Sequence, residues 1–394
     1  MKKYSKASVV SVFAVLLPIV VQLGIMNNFP KTDVNEYFKW MLLAQSFFVA
    51  LPTILWTNSV GMSDISSRKS LFSVIVGVYL ILLIFSAFFY ESFVRYIVLL
   101  TILKGLYIFL GSYESLTAGP DSVLNTEIQL MLLPITFIFC DTLFVFVSLN
   151  LIILIFLAIL KIFRLRESFG LWDKSIFENA IKFTPEMGVR YLFNAVEKFI
   201  FVGISDFPFA KYSLVMKGLK PLSSLAGSSN YWLMNFAASS VPNRKQELEK
   251  TSTYLVFSIT FLTLFIFLSV KFIDFSFLSI GYFRAVLEVK NIIALACLGL
   301  LPSAIFSIYL KFLQANRDWG LRIKLFLVQG VVYLSGLYIL DTMQVGDPLA
   351  FVLVWQMVVS IGLFFYVIHS LRKWWFSTAL ISLCVLYFYL FIWS

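Results

Sequence analysis

Histidine occurs once in these 394 residues and cysteine three times. The single imidazole, His369, falls at the end of an apolar run, the place of an interfacial side chain rather than a catalytic base. Cys140, Cys297 and Cys384 form no Cys-x-x-Cys pair, so zinc, disulfide and redox frameworks are not expected. All three lie in or at the ends of apolar runs, as small buried side chains do. Charge is also scarce: Asp, Glu, Lys and Arg make up 13% of the chain, about half the ~25% of a soluble domain. No P-loop and no Gly-x-Gly-x-x-Gly is present, so ATP is not expected to be the direct energy source. The longest outer loop, about 273–289, is too short for an extracytoplasmic catalytic domain, and no catalytic residue, cofactor or metal is expected.

Apolar mass is what the chain has. Hydrophobic residues reach 60%, with 43 Phe, 18 Tyr and 9 Trp. A soluble chain of this size cannot hide them in one core, whereas a bilayer solvates them from outside. The composition therefore excludes a secreted domain, a soluble enzyme and a DNA-binding factor. The net charge of +10 does not reverse this, because the basic residues sit in short clusters between apolar runs instead of one stripe. Membrane lipids, not nucleic acid, are the expected surroundings.

A membrane-spanning helix needs about 20 mostly apolar residues. Such runs start at Ser8–Met26 and recur at about 37–59, 70–90, 94–116, 122–140 and 142–163. After a polar stretch they resume at about 183–205, 210–237, 251–272, 290–313, 323–342, 348–370 and 374–393. The expected fold is all-α: a polytopic transmembrane helical bundle of two six-helix halves, 1–166 and 183–370. A cytoplasmic linker, 167–182, joins them, and an additional helix follows in 371–394. Arg372-Lys373 fits a cytoplasmic loop before that helix, although Trp374-Trp375 would also serve as an interfacial anchor. With the N-terminus inside, nineteen Lys and Arg fall in cytoplasmic loops and six outside (Lys31, Arg95, Lys211, Lys271, Arg284, Lys290). That asymmetry predicts a cytoplasmic N-terminus. Spans four and ten end in a shared Leu-x-Ala-x-x-Asp frame, Leu116–Asp121 and Leu313–Asp318. A parallel repeat of this kind is a transporter architecture with cargo held between the halves.

Ionisable groups inside apolar spans are costly and tend to face wet cavities. Span seven carries Glu186, Arg190, Asn194, Glu197 and Lys198. At 100° per residue Glu186, Arg190 and Glu197 fall within about a 40° arc, with Asn194 next to it. The same face could equally be an ion-paired seam, since Glu186 and Arg190 stand at i, i+4. Lys217 and Lys220 share a face of span eight, Lys104 lies in the middle of span four, and Glu114 lies near its end. Lys39 is read as snorkelling to the outer interface. The cations outnumber the acids, so a cavity lined by them would select anionic cargo. Lys104, Arg190, Lys198, Lys217, Lys220 and Asn194 are the expected substrate-binding residues, and Glu186, Glu197 and Glu114 the expected coupling carboxylates.

The layout resembles the bacterial lipid-linked oligosaccharide flippases of the Wzx or O-antigen exporter type, within the MATE-like multidrug/oligosaccharidyl-lipid/polysaccharide superfamily. The resemblance rests on the 6+6 halves with short loops, Tyr113–Gly119 closing span four and Asn125–Pro134 opening span five. Polar span seven, followed by Ala210-Lys211-Tyr212-Ser213-Leu214 and a lysine-bearing span eight, adds to it. It covers roughly residues 8–370; the chain is short for the family, and a thirteenth helix is unusual in it. The resemblance implies export of an undecaprenyl-pyrophosphate-linked oligosaccharide, an O-antigen or other surface-polysaccharide unit, across the bacterial inner membrane by alternating access. It also implies H+ or Na+ as coupling ion, and polymerase and other polysaccharide-assembly proteins as partners. Another secondary transporter of the same fold, or a membrane-embedded glycan polymerase or ligase, stays open at this point.

Overall fold

A computed structural model describes residues 17–50, 52, 65–89, 92–118, 121–170, 185–204, 206–218, 319–343 and 347–371. Among these residues the secondary structure is helical and no strand occurs. The expected spans nine, ten and thirteen, Lys220, and the body of the linker lie outside the described residues.

Helix α1 is described over Leu17–Asn28. Pro30 then separates it from α2, Lys31–Ala44, which begins earlier than hydropathy alone suggests. The first turn of α2 is polar (Lys31, Thr32, Asp33), and Pro30 has no N–H to place in a preceding helix. Helix α2 continues without a break into a π-helical turn, Gln45–Val49. Helices α3 (Ile65–Phe89) and α4 (Ser92–Ala118) follow. Helix α5, Asp121–Leu132, tightens into a 3-10 segment, Leu133–Phe139, where Pro134 enters. Helix α6, Leu143–Arg164, is capped by Thr142, whose hydroxyl accepts from the Val145 N–H at 3.3 Å.

The chain divides into two compact units, Met1–Ser213 and Leu214–Ser394. In the first, α4 is the central helix and packs against α2, α3, α5 and α6. Sixty-one per cent of its apolar stretch is buried, against 33% in α3 and 39% in α6. Those two helices keep a broad apolar face outward, including Ile81, Ile84 and Phe88 on α3 and Ile152, Phe156 and Phe163 on α6. Such faces make sense only in lipid. The chain is a multi-pass membrane protein.

Helix α7, Pro185–Gly203, packs on α2 and its π-helical turn. A tight corner at Asp206, with φ of 59°, turns the chain into α8, Phe209–Gly218. Buried polar groups hold this corner. Gln22 of α1 donates to the Ala210 carbonyl at 2.8 Å, and Asn35 of α2 donates to the Phe207 carbonyl at 3.0 Å. The start of the linker is likewise anchored, with Lys69 donating to the Glu167 carbonyl at 2.9 Å and Gly170 N–H to Ser73 Oγ at 2.9 Å.

In the second unit α9, Trp319–Met343, packs against α10, Pro348–Leu371. Leu325, Phe326, Val359 and Leu363 form their shared core. Asp347 caps α10, its carboxylate accepting from the Leu349 and Ala350 N–H groups at 3.1 Å each.

Candidate functional site

The buried face of α6 runs through Asn150, Leu154 and Ala158 to Lys161, at helical steps of four, four and three. The stripe thus delivers an ammonium, only 8% exposed, to the interior at the last turn. Lys161 Nζ meets Glu114 Oε2 of α4 at 3.2 Å and donates a short hydrogen bond to Thr126 Oγ1 of α5. It also stands 4.7 Å from the centre of the Tyr107 ring. Carboxylate, hydroxyl and π-face together satisfy the three N–H donors of a lysine. Tyr107 in turn donates to Gln129 Oε1. Gly111 makes this closeness possible, because a β-carbon there would collide with the Thr126 side chain.

Beside the cluster lies a cavity of about 400 Å³, within the size range of small-ligand sites. Tyr107, Glu114, Asn125, Gln129, Lys161 and Arg164 give it polar walls, and Ile128, Leu157 and Leu160 apolar ones. Arg164 is exposed. Lys161 falls at the end of the 142–163 run and counts among the cytoplasmic basic residues; the register of the α6 stripe is the signal that turns it inside.

A second buried pair sits between α7 and α8. Lys198 Nζ is 2.6 Å from Glu197 Oε2 and 2.9 Å from Tyr212 Oη, and lies against the rings of Phe201 and Tyr212 at 5.0 and 4.9 Å. Two of the three expected coupling carboxylates, Glu114 and Glu197, therefore each hold an intramolecular lysine.

The remaining expected residues are dispersed. Asn194 is exposed and donates to Ser46 Oγ at 3.2 Å, inside the π-helical turn. Next to it Tyr191 donates to the Phe47 carbonyl at 2.6 Å. A π-helical turn leaves backbone groups out of the regular ladder, and here the side chains of α7 meet it. Lys104 is exposed on α4 together with Ile108, whereas Tyr107 and Gly111 are buried; it does not line the cavity. Lys217 is half-buried on α8. Glu186 and Arg190 belong to the first turns of α7, and their side chains lie outside the described residues. Lys39 pairs with Glu36 at 3.3 Å.

Long apolar helices with lysine–carboxylate pairs folded into their interior define a helical membrane protein. Two solved structures share its fold. One is described as the lipid II flippase MurJ in an inward closed conformation; the TM-score is 0.66 at 16% identity, covering 98% of this chain and 92% of that one. The other is an inward-facing multidrug resistance MATE family transporter of the MOP superfamily, with a TM-score of 0.59 at 11% identity, covering 91% of this chain and 96% of that one. At such identities the fold is what is shared. No protein-family model matches the sequence, and no curated protein sequence does.

Proposed function

We propose that this protein moves an undecaprenyl-pyrophosphate-linked oligosaccharide from the cytoplasmic to the outer leaflet of the bacterial inner membrane by alternating access. The observation that carries the reading is the fold likeness, over 98% of the chain, to a structure described as a lipid II flippase. The cargo in this reading is an O-antigen or other surface-polysaccharide unit, handed on to polymerase and assembly proteins. A pyrophosphate needs cations in the membrane, where an unpaired charge is costly. Exposed Lys104 and half-buried Lys217, with Arg190 and Lys220, are the groups assigned to it. Asn194 supplies an exposed amide, and Lys198 serves the site by holding Glu197. Glu186 is the carboxylate assigned to a coupling H+ or Na+.

Complementation of a flippase-null strain tests this, with membrane protein level as control. Wild type should restore surface glycan. Arg190→Gln, Lys217→Gln and Lys104→Gln should each lower export about ten- to a hundredfold, the loss of one charge-assisted hydrogen bond of about 1.5–3 kcal/mol. Lys211→Gln, taken as interfacial, should be mild. Export by all variants equal to wild type overturns the site. Drug resistance without glycan export would favour a multidrug transporter, the kind of protein the second solved structure is described as.

A further inference from the structure

Helices α5 and α6 both pack on α4, and the 3-10 end of α5 packs on α6. Between the α-helical part of α5 and the last turns of α6 a cleft remains, floored by α4; the cavity of about 400 Å³ is this cleft. Its walls change character with depth. Arg164 is the last residue of the apolar span Leu143–Arg164, which puts its guanidinium at the level of lipid head groups. Lys161 reaches across to Thr126 just inside it, and Asn125, the neighbour of Thr126, lines the same end. Leu160 and Leu157 lie about 6 and 10 Å deeper than Arg164, at 1.5 Å per residue along α6. Leu160 is also 42% exposed and runs into the outward face made by Phe156, Ile159 and Phe163. The polar end of the cleft therefore stands at the membrane surface, and its apolar wall continues into lipid.

We infer that this cleft binds one anionic glycerophospholipid, its phosphodiester against Arg164 and an acyl chain along Ile128, Leu157 and Leu160. Lys161 and Arg164 against Glu114 leave the wall with one positive charge in excess, however the carboxylate divides itself among its partners. A phosphodiester supplies one negative charge. The guanidinium takes two of its oxygens at once, and the amides of Asn125 and Gln129 offer partners to a glycerol head group. Lys161, only 8% exposed and already bound to Glu114 and Thr126, contributes charge rather than a direct contact. A water-soluble phosphate would leave the apolar wall bare, and a zwitterionic lipid would leave the excess charge unmatched. Lys104 and Lys217, assigned above to the glycan cargo, do not line the cleft. The site is one for a resident lipid, and it does not rest on the flippase reading.

The test follows thermal unfolding of the purified full-length chain in an uncharged detergent as phosphatidylglycerol, phosphatidylethanolamine or glycerol 3-phosphate is added. The wild-type midpoint should rise saturably with phosphatidylglycerol, because a ligand held only by the folded state raises it. Phosphatidylethanolamine should act more weakly, and glycerol 3-phosphate not at all. Arg164→Gln should move the phosphatidylglycerol titration to about ten- to a hundredfold higher lipid, the loss of one charge-assisted hydrogen bond. Asn125→Asp cancels the excess charge without changing size and should shift the titration the same way; it answers the question if Arg164→Gln does not accumulate. Arg166→Gln removes an exposed charge near the same helix end that does not line the cleft, and should titrate like wild type. Equal responses to the two lipids, or any response to glycerol 3-phosphate, overturn the inference. So do equal losses in Arg164→Gln and Arg166→Gln, or a wild-type titration of both Arg164→Gln and Asn125→Asp.

Discussion

Among the described residues the buried charged side chains are Lys161 and Lys198, and each is tied to a carboxylate. Removing the ammonium of Lys198 takes a 2.6 Å ion pair from Glu197, whose side chain is 14% exposed, and a hydrogen-bond partner from Tyr212. Breaking a buried pair on one side costs about 3–5 kcal/mol, whereas replacing both members by neutral groups costs much less. Lys198→Met should therefore unfold at a clearly lower temperature in detergent, and Glu197→Gln with Lys198→Met should recover most of the loss. A double variant no better than the single one would show that Lys198 acts through its packing on Phe201 and Tyr212 instead. Steric limits are as sharp. Gly111→Leu should sharply reduce accumulation in the membrane, while Gly77→Ala should leave it unchanged, because a β-carbon at Gly77 meets nothing within 4 Å. Immunoblotting of membranes at equal induction reads both.

Helix ends follow local chemistry that is written in the sequence. Asp347-Pro348 places a capping carboxylate before a proline at the first helical position. Asp347→Ala should cost about 1 kcal/mol, seen as a small fall in unfolding temperature, and Asp347→Asn or Ser should restore most of it. The apolar runs also predicted α3, α4, α6, α9 and α10 to within a few residues of their ends, because length and hydropathy alone decide such spans. What hydropathy could not supply was the polar pairing. Glu114 and Lys161 stand on different helices, and no periodicity within one segment reveals that they meet. Nor did it reveal the π-helical turn at Gln45–Val49, where the apolar pattern runs on unbroken while the backbone ladder shifts. Lys104 shows the opposite limit: its helical angle is close to that of Gly111, yet packing by α5 and α6 buries one and leaves the other outside.

For the molecule as a whole, orientation in the membrane is the property most open to direct measurement. In a background with Cys140, Cys297 and Cys384 replaced, a cysteine at Ser168 should resist an impermeant maleimide added to intact cells. One at Asp206, exposed at the α7–α8 corner, should react. The reverse pattern would invert the basic-loop topology. A final consequence concerns the thickness of lipid the protein can match. Helix α6 has 22 residues and, at 1.5 Å each, is about 33 Å long, near the ~30 Å hydrocarbon layer. The segment from Asp121 to Phe139 is shorter, 12 residues of α-helix and 7 of 3-10 helix. As a continuous α-helix it would measure about 28 Å. The 3-10 stretch rises about 2.0 Å per residue, which extends the segment to about 32 Å. Winding the backbone more tightly around Pro134 thus lengthens a short span until it matches its neighbour, and spares the bilayer a local thinning around α5.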